Sequence, residues 1–114
     1  MADRAVIDLE HLARYTGGDR ALNSEIMRLF DQQTSQMVAN LRGILEARDA
    51  RSWKDIAHTL KGAAKGIGAF PMADAAALCE PISPEDGQLA ERALSALERQ
   101  SQAVQAFIKA YLGR

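Results

Sequence analysis

The stretch Ala50 to Ile67, ARSWKDIAHTLKGAAKGI, carries two patterns at once. At about 100° of rotation per residue, Trp53, Ile56, Ala57, Leu60, Ala63, Ala64 and Ile67 fall within about 60° of Leu60, which makes one continuous apolar face. His58 comes out about 160° from Leu60, with Arg51, Lys54, Lys61, Gly62 and Lys65 pointing much the same way. The segment therefore reads as an amphipathic helix that buries tryptophan and alanine and turns a histidine among lysines towards solvent.

Breakers on either side divide the rest of the chain: Gly17-Gly18, Asp49 after Ala47-Arg48, Gly66-Ile67-Gly68 leading to Pro71, and Pro81-Ile82-Ser83-Pro84. Before the histidine helix, residues 20–48 carry Leu22, Ile26, Leu29, Phe30, Met37, Leu41, Ile44 and Leu45 at three- and four-residue spacing, with Asp19 as N-cap. After it, residues 71–80 repeat the pattern in Met72, Ala75, Ala76 and Cys79. A last helix over 84–112 is expected to start on Ser83 as N-cap, Pro84 at the first helical position and Glu85-Asp86 in the first turn. Its stripe is Leu94, Leu97, Val104, Phe107, Ile108 and Tyr111. Residues 7–15 form a short amphipathic piece, too short to be stable alone, with Ile7, Leu12 and Tyr15 available to pack on something larger.

Four amphipathic helices with short connections are most simply satisfied by an all-α, antiparallel up-down four-helix bundle, here with a short accessory N-terminal helix. Aromatics are 5% of the 114 residues, and no run alternates β-branched with polar residues, so a sheet is not expected. No repeat or low-complexity tract suggests a second domain.

Composition excludes several functions. Fourteen Lys plus Arg balance fifteen Asp plus Glu, which leaves no overall basic excess for a phosphate-neutralising nucleic-acid surface. The lysine-bearing face also lacks the interleaved aromatics of a single-strand platform. No apolar run approaches the roughly 20 residues that span a bilayer, and the opening residues lack a signal peptide's apolar stretch, so a cytoplasmic setting is expected. Cys79 is the one cysteine and cannot form an internal bridge. His11, His58 and Cys79 are far apart and make no metal-ligand pair, so no metal is expected.

An exposed histidine among lysines is also what an ordinary solvated face looks like. Gly62 argues for more. Glycine in a helix interior costs roughly 1 kcal/mol against alanine, and nothing on the polar face requires a small residue. A body that must reach the imidazole from one turn away would explain it, because any side chain at position 62 would stand beside the ring. The chemistry on offer is nucleophilic: a neutral imidazole can attack phosphorus, and the ammonium groups attract the transferring oxygens.

The run Ala57-His58-Thr59-Leu60-Lys61-Gly62-Ala63-Ala64-Lys65-Gly66-Ile67-Gly68-Ala69 closely resembles the phosphorylation motif of the histidine-containing phosphotransfer (HPt) domain family, in which His-x-Leu-Lys-Gly is followed by Gly-Ala. The resemblance extends to Tyr15-Thr16-Gly17-Gly18-Asp19, Leu29-Phe30, Asp49, and Met72, Ala76, Cys79 and Glu80. Two features depart from the pattern: Met72 stands where Leu is common, and Pro81 ends the fourth helix early.

This resemblance implies a phosphocarrier, with His58 as phosphoacceptor, Lys61 assisting the charge and Gly62 leaving room for the partner. It places Gly68 at the family's second glycine, and it suggests the outer ring nitrogen, Nε2. Lys65 and Lys54 follow from the helical wheel as phosphate or partner contacts, and Gly68 is grouped with them. The implied partners are response-regulator receiver domains and a hybrid sensor kinase. Magnesium belongs to the receiver, the chain needs no cofactor of its own, and it acts as a monomer. No Gly-rich nucleotide-binding segment or α/β catalytic domain follows the bundle, so autokinase activity is not expected. The competing reading is a helical adaptor or dimerisation bundle, through apolar surface such as Ile82 or Leu89, in which His58 is incidental.

Overall fold

The computed structural model describes residues 4–114. They form five helices: α1 (Leu9–Thr16), α2 (Arg20–Ala47), α3 (Ala50–Ile67), α4 (Phe70–Cys79) and α5 (Gly87–Leu112). No strand occurs among them. The starts of the first three helices are fixed by aspartates whose carboxylates accept from otherwise unpaired first-turn amides. Asp8 accepts from Glu10 N and His11 N, Asp19 from Leu22 N, and Asp49 from Ser52 N.

The connections between α2 and α3 and between α3 and α4 are two residues long, which brings the chain back on itself. Arg48 ends α2 in the left-handed region, at φ 54°. Gly68 ends α3 at φ 85°, and Pro71 sits in the first turn of α4. Side-chain contacts give the directions. Arg20 and Asn23 near the start of α2 meet Tyr111 near the end of α5, Ser35 meets Gln105, and Arg42 meets Glu98 and Glu91. Partners of α2 thus run backwards along α5. The Trp53 indole, at the start of α3, donates to the Cys79 carbonyl at the end of α4 at 2.8 Å. Around the molecule, α2 packs on α3, α3 on α4, α4 on α5 and α5 on α2, while α1 rests on α2 and α3.

The core is built from the inward stripes. Trp53, Ala57, Leu60, Ala64 and Ile67 of α3 are buried against Met72, Ala76 and Cys79 of α4 and Leu94, Leu97, Val104 and Ile108 of α5. The alanines matter to the geometry, because small side chains on both faces let α3 and α4 approach closely and leave room for the indole of Trp53.

Three expectations need correction. The buried face of α2 is Asn23, Met27, Phe30, Thr34, Val38 and Leu41, whereas Leu22 and Leu29 are exposed. The register expected from hydropathy is thus turned by one residue over the first half of the helix. Tyr15 does not pack inwards; it is 68% exposed, and the accessory segment is anchored instead by Ile7 and Leu12. Helix α5 starts at Gly87 rather than Pro84, since Ser83 to Asp86 close a turn of their own in which Asp86 N donates to Ser83 O and Glu85 N to the Ser83 hydroxyl. Proline after serine suits such a turn as well as it suits a helix start.

Candidate functional site

The register of α3 decides what its outer face presents. With Trp53, Ala57 and Leu60 inside, His58 must point outwards, and its side chain is 69% exposed. Lys61, three residues on, is half-buried by comparison. Between them lies the end of α4. The bond from Trp53 to the Cys79 carbonyl pins that end against α3, and the next residue, Glu80, is thereby held over the His58 face.

Glu80 uses both carboxylate oxygens. Its Oε1 lies 2.5 Å from His58 Nδ1, and its Oε2 accepts from Lys61 Nζ at 3.0 Å. The Lys61 ammonium and then the His58 ring hold the Glu80 carboxyl below the usual carboxylate range. An ionised carboxylate can only accept, so Nδ1 carries the hydrogen in this contact. A neutral imidazole has one donor nitrogen and one acceptor nitrogen, and the acceptor here is Nε2.

The other expected site residues fall into two groups. Gly62 is exposed one turn beyond His58, and a Cβ built there meets nothing within 4 Å. The bundle itself therefore leaves position 62 free. Lys54 and Lys65 are exposed on the same helix, about 6 Å before and about 10 Å beyond His58 along the axis. Neither has an ion-pair partner among the described residues, and neither is drawn to the imidazole by a contact.

Gly68 does not belong to this face. It is buried at the far end of α3, where its carbonyl accepts from Asp8 N at 2.9 Å and a Cβ would lie 2.8 Å from Asp8 O. Its positive φ and that close approach explain the glycine as the seat of the accessory segment, which corrects its grouping with the phosphate or partner contacts.

Glu80 is the residue that sequence reasoning quoted but gave no role. Nothing in its local pattern marks it, because it follows the last buried residue of a short helix. The usable signal is long-range: once Trp53 is set opposite Cys79, the side chain after Cys79 must fall beside the first exposed turns of α3.

Elsewhere the chemistry is sparse. Burial pushes the Cys79 thiol up to about 11, which makes it a small core hydrophobe. The ring of His11 packs edge-on against Tyr15 and Phe70, as a packing residue would. No group of three or more His, Cys, Asp or Glu side chains converges as a metal site among the described residues. No described helix is long and apolar enough to cross a membrane. Ile82 and Leu89 line an apolar groove of about 300 Å³ between α4 and α5, separate from the His58 face.

Against known proteins, the fold superposes on the crystal structure of histidine-containing phosphotransfer protein B from Pseudomonas aeruginosa PAO1 with a TM-score of 0.81. The match covers 95% of each chain at 23% sequence identity, and at that identity it speaks for the fold. No curated protein sequence matches this chain. The family model described as Hpt domain matches residues 25–109, a span that contains the whole of α3 and α4 with His58, Lys61, Gly62 and Glu80 and most of α2 and α5. The chain belongs to the Hpt domain family.

Proposed function

We propose that this chain is a histidine phosphotransfer protein that relays a phosphoryl group between aspartates of response-regulator receiver domains, with His58 as the phosphoacceptor. The observation that carries the reading is the exposed His58 ring whose inner nitrogen is occupied by Glu80 while position 62, one turn away, is bare. In this reading α2 to α5 form an antiparallel up-down bundle with α1 as its accessory helix, and the bundle is a rigid stand for one nucleophile.

Transfer needs positioning and charge neutralisation more than covalent chemistry from the bundle. A receiver's acyl phosphate approaches over Gly62. The Nε2 lone pair forms the N–P bond as the P–O bond to the aspartate breaks, and that bonding pair leaves with the carboxylate. Discharge to a second receiver reverses the exchange. Lys61 lies one turn from the ring and balances part of the phosphoryl charge, and exposed Lys54 and Lys65 add a longer-range attraction. The carboxylate in contact with the ring, Glu80, is committed to Lys61 and His58, so the magnesium of the reaction is assigned to the receiver. In this reading a hybrid sensor kinase is the source of the phosphoryl group. We place the monomeric chain in the cytoplasm, where it meets such partners.

The deciding experiment is transfer of radiolabelled phosphate from a phosphorylated receiver domain to the wild-type chain and to His58→Ala. Label that appears only when His58 is present, survives alkali and is lost in acid is the expected result. Equal labelling of His58→Ala, or no label from a broad panel of receivers, leaves a helical adaptor as the better reading.

A further inference from the structure

We infer that the groove between α4 and α5 receives a second copy of this chain, two chains pairing antiparallel through Leu78 and Leu89 with Arg92 of each copy facing Glu85 and Asp86 of the other. The inference goes beyond the relay reading and leaves it intact: the monomer remains the unit that carries the site, and pairing sets in as the concentration rises.

The groove holds about 300 Å³, and of the side chains that line it only Arg92 is charged. Its floor is alanine: Ala75 is buried, and Ala93 and Ala96 are partly so. Its walls stand out into solvent. Leu78 is 66% exposed and Leu89 48%. Apolar side chains held together at a surface gain stability only when something covers them. A patch that carries both ridge and hollow is suited to a copy of itself, because a two-fold pair sets the same surface on both sides and offers each leucine ridge an alanine floor.

The charges repeat this relation. At about 100° of rotation per residue, Arg92, Ala93 and Ala96 fall within about 60° of Leu89, so α5 presents all of them on one face. Arg92 lies about 4.5 Å beyond Leu89 along the axis, and Glu85-Asp86 lie on the other side of it, where the helix begins. A two-fold axis beside Leu89 reverses α5 and brings Arg92 of one copy to the Glu85-Asp86 end of the other, twice by symmetry. All three side chains are exposed, and none has an ion-pair partner among the described residues. Asp86 stands at the N-cap of α5, yet its carboxylate makes no capping bond, whereas those of Asp8, Asp19 and Asp49 cap their helices. Its charge is uncommitted within the chain. The acid of α4 next to the groove, Asp74, is already taken by Arg4.

Such a pair leaves the histidine face open. Because α3 packs on α2 and α4, it stands diagonal to α5, and His58 points outwards from the side of α3 opposite its buried face. Two chains joined along α4 and α5 therefore keep both imidazoles on the outside.

The test is sedimentation equilibrium of the full chain from about 10 μM to about 1 mM, the range in which a small patch associates reversibly. The expected result is a mass that climbs from 12.4 kDa towards twice that value. Leu89→Glu sets two carboxylates against each other at the axis, and Arg92→Glu sets acid against acid beside it. Each is expected to raise the concentration of half-association at least about tenfold. Both positions are exposed, and urea unfolding followed by Trp53 emission checks that the fold is kept. Mixing fixes the register. Arg92→Glu alone, and a chain with Glu85→Lys and Asp86→Lys alone, should stay monomeric, while an equimolar mixture of the two should associate as the wild type does. A wild type that stays at 12.4 kDa throughout overturns the inference and leaves the groove to a partner of different sequence. Association that Leu89→Glu leaves unchanged places the contact elsewhere and overturns it equally, and a mixture that stays monomeric refutes the antiparallel pairing. Failure of the relay reading shows separately, in the labelling of His58, which none of these measurements reads.

Discussion

Replacing Gly62 separates what the fold needs from what a partner needs. Gly62→Ala should stabilise the free chain, because a glycine in a helix interior costs about 0.5–1 kcal/mol relative to alanine. Nothing in the structure subtracts from that gain: the new Cβ meets no atom within 4 Å, and the position is exposed, so neither clash nor burial enters. For a chain of 114 residues such a gain corresponds to a thermal midpoint raised by about 2–6 °C. Urea unfolding followed by tryptophan emission measures it directly, since Trp53 is the one tryptophan and is fully buried. Gly62→Gln should keep the bundle folded but place a long side chain one turn, about 6 Å along the axis, from the imidazole. Transfer from a phosphorylated receiver is then expected to slow at least about tenfold, a barrier increase of about 1.4 kcal/mol. Loss of stability in Gly62→Ala would show that the fold requires this glycine. An unimpaired rate in Gly62→Gln would remove the argument from clearance.

Gly68 should behave in the opposite way: Gly68→Ala forces a side chain into the left-handed region at φ 85° and 2.8 Å from Asp8 O, and a loss of about 2–4 kcal/mol in urea unfolding is expected, against which an unchanged midpoint would count decisively. The Cys79 thiol, raised by burial to about 11, should resist a thiol reagent at pH 8 and react only as the chain unfolds along a urea series; stoichiometric labelling in plain buffer would contradict its burial. Because the folded state holds the Glu80 carboxyl below its ordinary 4.5, the native chain binds fewer protons there than the unfolded one, and this contact stabilises above about pH 4.5 and is lost as the pH falls through the folded value. The stability difference between wild type and Glu80→Gln, measured by urea unfolding from pH 3 to 7, should therefore shrink on acidification, and growth on acidification would refute the contact.

What could be read from the sequence followed from how strongly each helix separates its two faces. In α3 every buried position is apolar and the opposite side carries only charged, small or polar residues, so one register satisfies the pattern and the outward direction of His58 follows from it. Helix α2 offers two registers a residue apart. The one that hydropathy favours, through Leu22 and Leu29, is not the one buried, because the buried face includes Asn23 and Thr34. Those two are tolerated inside for reasons that a periodicity does not contain: the Thr34 hydroxyl donates to the Phe30 carbonyl at 2.7 Å, and the Asn23 amide donates to the Tyr111 hydroxyl at 3.1 Å. The second of these partners lies 88 residues away. Glu80 was out of reach for the same reason. Its place depends on a carbonyl gripped by Trp53 from the other helix, so the carboxylate that meets His58 is chosen by packing in the core and becomes visible only when α4 has folded back along α3. The outward direction of His58 was legible because its own helix exposes it, and the carboxylate beside it was not, because a different helix delivers it.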